Sequence, residues 1–188
     1  ISLGCDKNLA DSEEMLGLLT GNGHEIVDSE EEADAIVINT CCFIHDAKEE
    51  SVNTILEMAE YKKTGTCKIL IVTGCMAQRY KEEITEEIPE VDAVLGTTSY
   101  GDIVKALNEA EAGHVFREFK DINALPEDSG RRVITTGGHF GYLKIAEGCD
   151  KHCTYCIIPS LRGKFRSVPE ERLLKQAEYM ASQGVREL

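Results

Sequence analysis

Eight cysteines in 188 residues are the side chains of this sequence best able to do chemistry. Three of them, Cys149, Cys153 and Cys156, form a Cys-x3-Cys-x2-Cys loop directly after an apolar run. Three thiolates this close can wrap one small inorganic centre. Structural zinc takes four protein ligands, and no fourth is evident. His152 adjoins Cys153 and is badly placed to share its metal. Three thiolates suit a four-iron cluster with one iron left open to a small ligand. Bacterial ferredoxins use Cys-x2-Cys-x2-Cys, so the additional residue is informative.

The other five cysteines separate by position. Cys5 follows Ile1-Ser2-Leu3 through Gly4, Cys41 follows the Ala35–Ile38 run, and Cys75 follows Lys68–Thr73 through Gly74. Each apolar run reads as a strand, so all three cysteines fall at carboxyl ends. In a parallel sheet these ends share one edge, where open α/β folds place their sites. Residues 36 and 34 positions apart can therefore converge. Gly4 and Gly74 would let backbone approach a bulky group. The alternative is three unrelated small core residues, because free cysteine is commonly buried. Cys42 neighbours Cys41 and should point the other way along an extended chain. Cys67 begins a strand, at the opposite edge. Both read as non-ligands. His24, His45, His114 and His139 lack ligand spacing.

The elements that must position these residues alternate. Leu9, Leu16 and Leu19 mark a helix starting near Asn8 and stopped by Gly21-Asn22-Gly23, and His24–Val27 reads as a short strand. Strand Ala35–Ile38, a helix with Val52, Ile55, Leu56 and Ala59 on one face, and strand Lys68–Thr73 follow. A helix over about 78–87, strand Asp92–Leu95 and a helix opened by Ser99 and Asp102 complete the first 120 residues. Such alternation implies crossovers and a mainly parallel sheet. Residues 121–138 read as a linker. Gly141–Ala146 is a new strand, Ser167-Val168-Pro169 opens a helix ended by Gly184, and Val185–Leu188 starts another strand. The domains expected are thus 1–120, an α/β unit, and 139–188, the beginning of a second.

Composition narrows the function classes. The formal net charge is −14. Residues 1–120 hold 25 acidic against 10 basic side chains, and residues 121–188 hold 9 against 10. That balance disfavours a chain gripping nucleic-acid phosphates over its whole surface. No apolar run is long enough to span a membrane and no signal peptide opens the chain. A disulfide scaffold does not fit an α/β chain of this length. A cytosolic protein using its cysteines for metal or redox chemistry is the expectation. The acidic runs Glu30–Glu32 and Glu82-Glu83 read as solvated surface. Arg162-Gly163-Lys164-Phe165-Arg166 reads either as a site for an acidic group or as a solvated basic loop. Tyr155 could pack over a cluster, flank a nucleotide or fill a core.

Taken in order, Gly4-Cys5-Asp6-Lys7-Asn8, Asn39-Thr40-Cys41, Gly74-Cys75-Met76-Ala77-Gln78-Arg79 and Glu147-Gly148-Cys149 through Arg162-Gly163 resemble the radical S-adenosylmethionine methylthiotransferases. The resemblance covers essentially the whole chain. It implies a Rossmann-like N-terminal domain followed by the first part of a partial TIM-type barrel, the chain being a fragment. It implies two 4Fe-4S clusters: an auxiliary one held by Cys5, Cys41 and Cys75, and a radical one held by Cys149, Cys153 and Cys156. S-adenosyl-L-methionine would chelate the open iron of the second, with Tyr155 nearby. Ser2-Leu3 before the first cysteine, Cys42-Phe43-Ile44, Ala47-Lys48-Glu49-Glu50-Ser51 and Gln78-Arg79-Tyr80 look like the branch acting on an aspartate β-carbon of the twelfth protein of the small ribosomal subunit. The resemblance also implies an electron donor such as a flavodoxin, and no nucleic-acid binding by this part. The alternatives are the tRNA-modifying branch of the same family and a non-catalytic metal-binding module.

Overall fold

The computed structural model describes residues 1–126 and 130–188. Of the expected linker, Glu127, Asp128 and Ser129 lie outside the described residues.

Helix α1 (Asp6–Gly21) leads to β1 (Ala35–Thr40), α2 (His45–Thr64), β2 (Ile69–Gly74), α3 (Cys75–Glu87), β3 (Ala93–Leu95), a single 3-10 turn at Tyr100–Asp102, α4 (Ile103–Glu111) and β4 (Phe116–Glu118). The four strands form one parallel sheet in the order β1-β2-β3-β4. Ser2 extends it beyond β1 through a parallel bridge to Asn39. The α/β fold with a parallel sheet is therefore as the sequence implied.

Two apolar layers cover the sheet. Ile36, Ile38, Leu70, Val72 and Val94 face Ile55, Met58 and Ala59 of α2 and Met76, Ala77 and Ile84 of α3. Ile69, Ile71, Ala93 and Leu95 face Met15 of α1 and Ile103, Ala106 and Leu107 of α4. Burial on both faces is why these strands read as continuous apolar runs without polar alternation. Both acidic runs are exposed. Helix α3 is kinked at Lys81 (φ 35°, ψ −110°).

Several local expectations are corrected. His24–Val27 is not a strand, and Ile26 and Val27 are exposed. The β1 edge it would join is taken: Leu3 N donates to Asn39 O at 2.9 Å, and Asn39 N donates to Ile1 O at 2.9 Å. Leu56 lies outside the core face of α2, and Met58 takes its place. Ser99 does not cap a helix; its hydroxyl accepts from Lys120 N at 2.9 Å. Strand β4 carried no sequence signal beyond a single Phe among charges.

The second unit holds β5 (Ala146–Glu147), α5 (Ile158–Arg162), β6 (Arg166–Ser167) and α6 (Glu170–Ser182). The expected strand at 141–146 is mostly irregular. Its carbonyls are claimed by side chains of other segments: Arg132 donates to Tyr142 O at 2.7 Å and Lys7 to Ala146 O at 2.7 Å. Strand β5 pairs antiparallel with β6. Helix α6 starts after Pro169 as expected, and the chain returns so that Glu187 bridges Phe140 in parallel.

Residues 131–136 are not a free tether. Arg132 is buried, and its Nε donates to Glu13 of α1 at 2.7 Å.

Candidate metal centre at the sheet edge

Cys5, Cys41 and Cys75 lie at the carboxyl ends of three neighbouring extended segments. Cys5 stands at the cap of α1 and Cys75 opens α3. Cys41 is held by α2: its N–H donates to the Ser51 hydroxyl at 3.0 Å, which donates to the Cys41 carbonyl at 2.8 Å.

Motif residues without redox chemistry of their own build this edge. Asn8 Nδ2 donates to Leu3 O at 2.8 Å and to Thr40 O at 3.0 Å. It thus ties together the backbones that lead to Cys5 and Cys41. Asn39 Nδ2 donates to Asn8 O at 2.8 Å. Gln78 Oε1 accepts from Thr97 N at 3.1 Å. The sequence marked these polar residues only by their place in the motifs. Their burial explains the choice, because a buried amide must find partners.

Gly4 (φ +90°) and Gly74 (φ +91°) are required by space as well as conformation. A Cβ on Gly4 would stand 2.6 Å from Cys41 Cβ and 2.9 Å from its sulfur. One on Gly74 would stand 2.5 Å from the Thr40 carbonyl oxygen. Both glycines keep the edge beside the sulfurs clear.

The three sulfurs feel one another. Burial pushes the Cys75 thiol up, the neighbouring Arg162 guanidinium pulls it down, and Cys41 and Cys5 push it up again. Among the described residues, no three His, Cys, Asp or Glu side chains are gathered to hold a single metal ion. A four-iron cluster presents its irons at separate corners, so its ligands surround a volume rather than a point. Three thiols, two glycines with no room for a side chain, and a buried cation fit an anionic thiolate-ligated cluster.

The remaining cysteines divide as follows. Cys42 is buried in the layer between the sheet and α2–α3. Its thiol is pushed up to about 11, first by burial and then by the Cys75 charge. Cys67 is buried at the start of β2, and its thiol donates to Ile69 O at 3.3 Å.

The second cysteine loop is fastened at its ends and open in its middle. Cys149 N donates to Gly163 O at 3.0 Å, and Cys156 N donates to Cys153 O at 3.0 Å. Asp150 Oδ1 accepts from Phe165 N at 3.0 Å. Cys149 and Cys156 are half-buried, Cys153 is exposed, and Tyr155 is 88% exposed, which removes a core role for that ring.

The basic stretch after this loop is neither a solvated loop nor an open anion site. Arg162 is buried; it donates to Asp11 Oδ2 at 3.0 Å, Glu147 Oε1 at 3.0 Å and Asn8 Oδ1 at 2.6 Å. Arg166 spends its donors on the carbonyls of Ala124, Arg162 and Lys164. Lys144 completes the cluster of charges, paired with Asp11 and with Glu147 at 3.0 Å. Burial would raise Glu147, but Lys144 and Arg162 outweigh it and hold the carboxyl down at about 2. Thr97 Oγ1 donates to Leu161 O at 2.8 Å, seating α5 over the sheet edge. The helix that follows one cysteine set is therefore packed on the elements that carry the other.

A family model described as Uncharacterized protein family UPF0004 matches residues 1–96. The chain belongs to that family. It is 64% identical to the "Ribosomal protein uS12 methylthiotransferase RimO" of Lachnoclostridium phytofermentans, over 100% of this chain and 43% of that protein. It is 51% identical to the RimO of Clostridioides difficile (100% of this chain, 42% of that protein) and 49% identical to that of Acetivibrio thermocellus (100% and 43%). The chain thus spans about two fifths of the length of these curated relatives. The methylthiotransferase resemblance drawn from the cysteine motifs is borne out, and the chain is RimO-like. No helix among the described residues is long and apolar enough to cross a membrane.

Proposed function

We propose that this chain is part of a cytoplasmic methylthiotransferase acting on ribosomal protein uS12, at the β-carbon of an aspartate. The observation that carries the reading is the similarity to RimO proteins over the whole of this chain together with three cysteines at one sheet edge. Residues 1–120 would form the domain holding an auxiliary 4Fe-4S cluster on Cys5, Cys41 and Cys75. Residues 121–138 connect it to the start of a radical domain at 139–188, whose Cys149, Cys153 and Cys156 would hold the second cluster. When bound, the clusters and S-adenosyl-L-methionine supply sulfur, a methyl group and the radical chemistry that activates the C–H bond.

The chain's own residues do the positioning. Ser51 and Asn8 fix the backbones of Cys41 and of the segment leading to Cys5. Arg162 supplies compensating positive charge beside Cys75. Exposed Tyr155, between Cys153 and Cys156, is free to lie against a nucleotide at the second cluster. The acidic surface of residues 1–120 suits a basic ribosomal protein as substrate, and the radical chemistry would require an electron donor such as a flavodoxin. Neither nucleic acid nor membrane is an expected partner of this part.

The test is a single-turnover assay of the anaerobically reconstituted full-length enzyme, offered uS12 or tRNA. Mass gain of one methylthio group on uS12 is expected. Gain on tRNA alone would transfer the chain to the tRNA-modifying branch, and stoichiometric zinc in place of iron would defeat the enzyme reading.

A further inference from the structure

The Arg162 guanidinium lies where the two cysteine sets meet. It is six residues beyond Cys156, yet its hydrogen bonds go to α1 of the first unit. Its Nη2 donates at 2.6 Å to Asn8, the amide that also holds Leu3 O and Thr40 O beside Cys5 and Cys41. Its charge also bears on the Cys75 thiol, opposing the upward push of burial. One buried cation therefore touches the framework of all three presumed ligands. Its counter-charges, Asp11 and Glu147, are shared with Lys144.

We propose that Arg162 is a positioning residue for the auxiliary cluster, setting its reduction potential through the Cys75 sulfur and clamping the radical-domain loop to it. The inference rests on the assignment of Cys5, Cys41 and Cys75 as that cluster's ligands. The physical basis is charge. One-electron reduction adds a negative charge to the cluster, and a buried cation beside its ligands favours that state. Hydrogen bonds to sulfur, net charge and solvent exposure are the levers that set such potentials. Arginine suits the role because its planar fork serves several acceptors at once and it never loses its proton. Asp11 works against it by neutralising part of the charge.

The experiment is an EPR-monitored redox titration of the full-length reconstituted protein, in a background where Cys149, Cys153 and Cys156 are alanine and only the auxiliary cluster remains. Arg162→Gln should move the potential to more negative values, and Arg162→Lys should move it less. Asp11→Asn should move it the opposite way, because the guanidinium is then less neutralised. A merely structural role would not produce shifts of opposite sign. An unchanged potential in Arg162→Gln with full iron content would overturn the proposal. If Arg162→Gln loses the cluster, Asp11→Asn decides: an unchanged or more negative potential overturns it. The ligand assignment is checked separately by iron content. If Cys75→Ala retains as much iron as its parent, the assignment itself fails and the proposal falls with it.

Discussion

The join between residues 131–136 and α1 allows a quantitative test. Glu13 is fully buried, and its carboxylate accepts from Arg132 Nε at 2.7 Å, Thr135 N at 2.7 Å and the Thr135 hydroxyl at 2.8 Å. Val133 N donates to the Glu13 carbonyl at 3.0 Å. Glu13→Ala would leave the buried Arg132 without its counter-charge. Removing one partner of a buried pair costs about 3–5 kcal/mol. At about 1.4 kcal/mol per tenfold, that is a loss of roughly two to three and a half orders of magnitude in a local equilibrium. The Val133 and Thr135 amides should lose hydrogen-exchange protection by that factor, or down to the unprotected rate if they begin with less. Arg132→Ala should do similar damage from the other side. The double variant should be milder than the sum, because neither charge is then stranded. Full protection of Val133 in Glu13→Ala, or additive losses in the double variant, would refute the claim that this pair holds the connection.

Four further outcomes are expected. The Glu147 carboxyl, held at about 2 in the fold against an ordinary value of 4.5, contributes stability above pH 4.5 that is lost as pH falls towards 2; Glu147→Gln should flatten the fall of the melting temperature over that window. Burial raises Glu14 instead, so protonating it favours the fold, and Glu14→Gln, which removes that gain, should steepen the loss of stability as pH falls towards 4.5. In cluster-free protein at pH 8, a maleimide should label exposed Cys5 and Cys153 first and reach Cys42, buried and pushed up to about 11, only on unfolding; mass spectrometry of the labelled peptides reads the order, and early labelling of Cys42 would contradict its placement. Gly74→Ala must push a Cβ into the Thr40 carbonyl at a positive φ, so iron per full-length chain should fall by about half from the roughly eight expected of two four-iron clusters; undiminished iron would show that this edge holds none.

The sheet was legible because its strands are buried on both faces, which leaves runs such as Ile69–Val72 without polar interruption. That Cys5, Cys41 and Cys75 lie at one sheet edge followed from parallel topology alone, although the residues are 36 and 34 positions apart. What stayed hidden was decided by pairing between distant segments. His24–Val27 has strand-like composition but no free edge to join. Of the Gly141–Ala146 run only Ala146 joins a strand, and the Tyr142 carbonyl is taken by Arg132, whose reach no local pattern encodes. Arg162 is the clearest case: the stretch 162–166 could be read as a solvated basic loop or as a site for an acidic group, yet this residue is 4% exposed. Its burial depends on Asp11, 151 positions away.

That dependence explains why so much charge is buried at this join. Asp11 and Glu147 each accept from both Lys144 and Arg162, so two carboxylates and two cations alternate around one site. Apolar packing of similar volume would often be no less stable, but it would tolerate sliding. An alternating charge cluster does not. Moving residues 144–147 by one position along α1 would leave at least one buried charge without a partner, at a cost of several kcal/mol. Helix α1 begins at Cys5's neighbour, and Arg162 ends the helix that follows Cys156. The register enforced by these four side chains is therefore the register between the two cysteine sets. If each set holds a cluster, the separation of the clusters is fixed by ionic pairing rather than by the connecting segment. The polar residues of the Gly4–Asn8 motif then make sense together: Lys7 holds Ala146, Asn8 holds Arg162, and both do so from the first turn of the helix that Cys5 caps.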